Sequence, residues 1–156
     1  RIRSGDGEQL LDFYNGLSQA SIRTFRPLGE RTTLEAVEKI IHDNRSWINQ
    51  KYDLVIQENG KLIGWSFIWE LKSQEPVFGL AVADDYHHCG LGKRLIGKVM
   101  CWAQKHQVPK VYLTVVQDNM VAWRLYEKYG FERYGEMVGE DGLPYYKMAA
   151  SPPYIC

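Results

Sequence analysis

His87-His88-Cys89-Gly90-Leu91-Gly92-Lys93 joins a nearly all-apolar strand, Val77–Ala83, to an amphipathic helix, Gly90–His106. Strand, glycine-bearing loop and helix in that order decide how the rest of the chain is read. Two glycines let the backbone approach an anion closely. The helix start adds unpaired N–H groups and the positive end of its dipole. A phosphate or pyrophosphate suits such a loop, and local charge agrees. Between Tyr86 and Gln117 there are five Lys or Arg (Lys93, Arg94, Lys98, Lys105, Lys110) and no Asp or Glu. Spacing alone leaves a plainer reading open, in which Gly90 and Gly92 serve only a tight turn. Two nucleotide loops fit poorly. No G-x-x-x-x-G-K-[ST] string exists, and Leu95 stands where a G-x-G-x-x-G fingerprint needs its third glycine.

Outward from the loop, the strand Val77–Ala83 lacks polar alternation and is expected to be central, as is Lys110–Val116. Tyr52–Gln57 and Leu62–Leu71 are predicted to form a hairpin around Glu58-Asn59-Gly60-Lys61, because Asn-Gly tolerates positive φ. Asn119–Tyr129 reads as a helix closed by Gly130 in a left-handed conformation. Phe131–Val138 and Tyr145–Ala149 form a last strand pair around Glu140-Asp141-Gly142. On the N-terminal side, Arg1–Arg3 reads as the stump of a strand and Asp6 to about Gly16 as a helix. Ser18–Arg31 reads as an irregular connection with a short helix. A helix to about Asn49 follows, capped by the Thr32/Glu35 capping box and striped by Leu34, Val37, Ile40, Ile41 and Trp47. A helical N-terminal part, an antiparallel meander and a β-α-β-α-β end make a mixed α/β (α+β) sheet. With no repeat, linker or low-complexity tract, residues 1–156 are expected to form one domain.

Composition narrows the function classes. The 156 residues are 45% hydrophobic and 24% charged, ordinary for a globular chain. Nineteen basic residues balance nineteen acidic ones, so no global field draws nucleic acid or membrane. No apolar run reaches the length of a span, and the sequence shows no secretory leader, although it starts at Arg1 without Met and a leader could have been trimmed. Three spaced cysteines without a CxxC pair suit a reducing interior, so the expected location is cytoplasmic.

Gly90-Leu91-Gly92, after Leu80-Ala81-Val82 and Tyr86, is similar to the Q/R-x-x-G-x-G/A signature of the GNAT superfamily of acyl-CoA-dependent N-acetyltransferases. Asn119 to Phe131, N-x-x-A-x-x-L-Y-x-x-x-G-F, resembles that family's second hallmark. The two cover about 50 residues at the expected separation. The resemblance implies a mostly antiparallel sheet of about six or seven strands flanked by about four helices, with a splayed central pair, Val77–Ala83 and Lys110–Val116. It implies acetyl transfer from acetyl-CoA directly to a primary amine in a ternary complex. It places the diphosphate on the N–H groups of His88, Cys89, Gly90, Leu91, Gly92 and Lys93, with Asn119 and Ala122 nearby. The pantetheine arm would pair with the strand holding Leu80 and Val82, and the Leu80 N–H would face the thioester oxygen. Tyr126 is the candidate general acid for the thiolate; spacing alone also fits a core aromatic. His87 departs from the pattern's Gln/Arg and donates with charge only when protonated.

A lysine-like acceptor is neutral at pH 7 in only about one molecule in 2,500, a penalty of roughly 4.6 kcal/mol. A base is therefore needed. Where some family members carry a glutamate this chain has Pro76, leaving Glu75, Glu70 or a water chain. Three consecutive residues, His87, His88 and Cys89, rarely converge on one ion, so no metal is expected. Cys89 has no orienting partners for nucleophilic work, and Gly16-Leu17-Ser18-Gln19-Ala20 is not a nucleophile elbow. The resemblance walls the acceptor site with Ser18–Arg31 and Met137–Tyr146. Arg23, Arg26 and Arg31 suit an anionic group there, and Trp65, Trp69, Tyr145 and Tyr146 suit an aromatic wall. The expected partner is a small-molecule or peptide amine, and the expected assembly a monomer or a homodimer. A non-catalytic acyl-CoA sensor on the same fold and a nucleotide-binding domain remain the competing readings.

Overall fold

The computed structural model describes residues 1–45 and 50–156. Its sheet has six strands: β1 Tyr52–Glu58, β2 Lys61–Trp69, β3 Val77–Val82, β4 Val111–Val116, β5 Glu132–Val138 and β6 Pro144–Ala150. Their order is β1-β2-β3-β4-β6-β5. Every neighbouring pair is antiparallel except β3 and β4, the two apolar strands expected at the centre. That parallel pair makes one bridge, Val77 to Tyr112, backed by the Tyr112 N–H donating to Pro76 O at 2.8 Å. Beyond it the strands part, as the splayed pair was expected to. Asn59 (φ +51°) and Gly60 (φ +77°) are both left-handed, as a two-residue hairpin turn demands.

The helices are α1 Gly7–Asn15, α2 Gln19–Thr24, α3 Leu34–Asp43, α4 Leu91–Lys105 and α5 Met120–Lys128, with a single 3-10 turn at Asp84–Tyr86. That is one more α-helix than the resemblance implied, because the short α2 is separate. Strand alternation assigns the two core faces. Trp65 and Phe67 of β2 pack with Leu10 and Tyr14 of α1 and with Val37 and Ile40 of α3. Ile68 and Phe78 point the other way, to Ile96, Val99 and Met100 of α4 and to Tyr126 and Phe131.

Two local expectations shift. The cap of α3 is Thr33, whose hydroxyl accepts from Ala36 N–H at 3.3 Å, and not Thr32. Thr32 is tied instead to the end of α1: its N–H donates to Asn15 Oδ1 at 2.9 Å and its carbonyl accepts from Asn15 Nδ2 at 3.1 Å. Arg1–Arg3 is not a strand; Ile2 docks by donating to Asp53 O at 2.9 Å, and the Arg1 guanidinium donates to Lys51 O at 3.2 Å. The expected extension of α3 to Asn49, with Trp47, lies outside the described residues.

Asp53, on β1, is fully buried. It accepts from Trp65 Nε1 at 2.7 Å, Trp69 Nε1 at 3.0 and 3.1 Å and Asn44 Nδ2 at 2.8 Å. The two indoles are thereby fixed, and Trp69 stacks on Phe67 at 4.1 Å between centroids.

Candidate active site

Where β3 and β4 separate, a cleft of about 1010 Å³ opens. Alternation along β3 decides which backbone groups face it. The Ala83 N–H donates to Ile63 O at 2.9 Å, so Ala83 points at β2. Leu80 and Val82 are out of phase with it, so their N–H and C=O groups point towards β4. No bridge forms there, and Leu80 and Val82 both line the cleft. Gly79 lets the floor close: a Cβ on it would lie 2.2 Å from Phe67 Cζ, so only glycine admits that ring against β3.

The glycine loop stands at one end. Gly90 has φ +78° and precedes α4 without any side-chain cap. The first intrahelical bond recorded at this end is Arg94 N–H to Gly90 O. Among the described residues, the N–H groups of His88, Cys89, Gly90, Leu91, Gly92 and Lys93 meet no protein acceptor. Six adjacent unclaimed donors, with Lys93 beside them, form an anion cradle. Alanine at Gly90 would have open space for its Cβ but not the backbone. We expect Gly90→Ala to lower the unfolding free energy by about 1 kcal/mol through the left-handed φ. Urea denaturation reads this; an unchanged midpoint would show the loop relaxing to negative φ.

α5 forms the opposite wall. Asn119 caps it, accepting from Ala122 N–H at 3.3 Å, and both residues line the cleft. Tyr126 lines it as well, with its ring set edge-on to Phe78 (5.7 Å) and Phe131 (6.0 Å). Burial pushes its phenol well above the usual range, so it stays protonated. Arg124 and Lys128, one turn apart on α5, also line the cleft. This cationic pair went unremarked in the sequence, although its i,i+4 spacing was the signal.

At the other end, the Ser18–Arg31 and Met137–Tyr146 segments do come together. Arg23, Phe25 and Arg26 face Glu140, Asp141 and Tyr145 across the opening. Tyr145 donates to Asp141 Oδ2 at 2.5 Å; burial and that carboxylate push its phenol up to about 12. The same hydrogen bond, with the Leu143 N–H, holds Asp141 below the ordinary carboxylate range. Arg23 pairs with Asp118 at 3.2 Å. Trp65, Trp69, Tyr146 and Arg31 are not in the lining; the two tryptophans serve Asp53 instead.

Other sequence candidates fall outside. Glu70 and Glu75 are exposed and neither lines the cleft. They flank the start of β3, where β3 and β4 are still bridged, at the end away from the opening. Cys89 leans on the His87 carbonyl at 3.7 Å, and its side chain is not in the lining. Among the described residues no three His, Cys, Asp or Glu side chains are grouped to hold a metal ion. None of the described helices is long and apolar enough to cross a membrane.

A six-stranded, mostly antiparallel sheet opened by a V between two parallel strands, with a free-amide loop at one end, defines the acetyltransferase fold of the GNAT type. The chain belongs to the Acetyltransferase (GNAT) family, whose family model matches residues 15–131. It is 32% identical over 79 residues to a "[Ribosomal protein bS18]-alanine N-acetyltransferase" of Haemophilus influenzae, covering 51% of this chain and 53% of that protein. It is 31% identical over 106 residues to a "5-NmdU N-acetyltransferase" of Pseudomonas phage PaMx11, covering 67% of this chain and 70% of that one. The chain thus spans about half the length of the ribosomal-protein acetyltransferases it matches. A GNAT-family acetyltransferase structure from Streptococcus pneumoniae superposes with a TM-score of 0.81 at 25% identity, covering 99% of this chain and 96% of that one.

Proposed function

We propose that this chain moves an acetyl group from acetyl-CoA to a primary amine by direct transfer, both substrates meeting in the β3–β4 cleft. The observation that carries the reading is the coincidence in one cleft of three things: the six unclaimed amides of residues 88–93, the unpaired edge of β3 at Leu80 and Val82, and Tyr126 on the facing helix. The amides, with Lys93, Arg124 and Lys128 nearby, suit a diphosphate. The Leu80 N–H is a fixed donor for charge developing on the thioester oxygen. Tyr126 donates a hydrogen bond to the departing sulfur. Full proton transfer from its raised phenol to a thiolate, whose acid has a pKa of about 8.5, would be uphill, so the hydrogen bond carries the stabilisation.

Glu70 and Glu75 drop out as bases by their position. The carboxylates in the lining are Glu140 and Asp141, and Asp141 is held too acidic to be a strong base. It is better suited to hold an ammonium group near the cleft, with water taking the proton out. A weak base favours an acceptor that is easily neutralised. A peptide α-amine, with a pKa of about 8, loses only about 1.4 kcal/mol at pH 7, against roughly 4.6 for a lysine side chain. A peptide N-terminus therefore heads the acceptor candidates, and the relative named for alanine N-acetylation supports that order.

Acetyl-CoA-dependent thiol release over a panel of N-terminal peptides, lysine-type amines and polyamines tests the reading. Turnover greatest with α-amines is expected. A preference for high-pKa amines would overturn the acceptor assignment. CoA binding without turnover on any amine would favour the sensor reading.

A further inference from the structure

The sequence places His87 in the loop as a donor to phosphate, yet its ring turns back on the sheet. Nε2 lies 2.9 Å from the Val82 carbonyl oxygen. A carbonyl only accepts, so Nε2 carries the hydrogen. The same nitrogen lies 3.8 Å from Asp84 Oδ1. Asp84 is itself held, accepting from Ser18 N–H at 2.9 Å, from Ser18 Oγ at 3.1 Å and from the Ser21 hydroxyl. The imidazole is thus held inward by one hydrogen bond, to the Val82 carbonyl, with the anchored Asp84 carboxylate close by. The acceptor it occupies is no ordinary one: Val82 lies on the β3 edge that faces β4 unpaired, and both His87 and Val82 line the cleft. An extended ligand carrying amides would add to that edge as a strand does, its N–H groups seeking these carbonyls.

We propose that His87 is a displaceable stopper on the open edge of β3, capping the Val82 carbonyl until the amide-bearing arm of an acyl carrier takes its place. The inference rests on the coenzyme A reading above. It reverses the sign expected of a phosphate donor. Removing a donor weakens binding of the diphosphate; removing a stopper strengthens binding of the arm and leaves the diphosphate alone. One hydrogen bond is at stake, so the gain is modest, roughly three- to tenfold.

Calorimetry on the full chain separates the cases with three probes: CoA, pantetheine (the arm without the diphosphate) and ADP (a diphosphate without the arm). In His87→Ala, CoA and pantetheine are expected to bind roughly three- to tenfold tighter, with ADP unchanged. Weaker ADP and CoA binding would make His87 a phosphate donor and overturn the proposal, as would unaltered CoA affinity. If the wild-type chain binds none of the three, the coenzyme A reading fails and takes this inference with it. A second measurement needs no variant. The ring nitrogen resonances of His87 in the wild-type chain should shift with pantetheine and not with ADP; no response to pantetheine overturns the stopper.

Discussion

Tyr126→Phe should lower kcat about a hundredfold while leaving CoA affinity within about twofold. The argument is geometric before it is chemical. The ring is clamped by Phe78 and Phe131, so phenylalanine keeps its packing and only the hydroxyl is lost. That hydroxyl makes no recorded hydrogen bond to the protein, and Tyr126 lines the cleft, so the hydroxyl is free to serve a ligand there. Its stabilisation is needed only as sulfur gains charge, which is why the loss falls on turnover and not on ground-state affinity. Because burial keeps the phenol protonated well above the usual range, the rate should show no decline from Tyr126 ionisation up to about pH 10. Steady-state rates with a responsive amine, together with a CoA titration, check both halves. A variant that turns over normally removes Tyr126 from the chemistry and leaves it a core aromatic, the reading that helical spacing alone allowed.

What the sequence revealed and what it hid have separate physical causes. Elements whose signals are local were legible: Asn59-Gly60 needs positive φ, Gly130 closes α5 at φ +87°, and the apolar runs of β3 and β4 do sit at the sheet centre. The glycine loop was legible because chemistry and spacing coincide there. Side-chain direction was not. His87 is set by Val82 and Asp84, and Asp84 by two serines more than 60 residues earlier, which no periodicity displays. Glu75 and Glu70 lie outside the cleft lining for a related reason. Their nearness to Pro76 and to the end of the preceding strand does not say which end of the strand pair opens. Thr32 and Thr33 show the limit of a capping pattern: Thr32 has the matching Glu35, yet Asn15, far away in sequence, claims it and Thr33 caps the helix.

The buried carboxylate of Asp53 should make this protein more stable in mild acid than at neutral pH. It has no exposed surface, and burial pushes its pKa up to about 6, despite donors from Asn44, Trp65 and Trp69. In the unfolded chain an aspartate titrates near 3.9. Between those values the native state holds a proton that the unfolded chain has released, so folding binds protons and stability falls as pH rises. The contribution is complete below about pH 4 and is lost through about pH 6, some 3 kcal/mol at most for a shift of about two units. Asp43, held low by Lys39 and Lys51 against its own burial, works in the opposite direction, losing stability as pH falls below the ordinary carboxylate range. Asp53→Asn turns one acceptor into a donor aimed at indole N–H groups, which should remove about 3 kcal/mol or more at pH 5. It also removes the titrating group, so the difference between variant and wild type should shrink from pH 5 to pH 7.5. Every other ionisable group is common to both proteins, so comparing the two isolates Asp53. Urea midpoints at the two pH values decide it: a constant difference would mean that Asp53 is ionised throughout. The consequence reaches the cleft, because the indole of Trp69 that Asp53 fixes is the one stacked behind Phe67, the ring that floors the opening between β3 and β4.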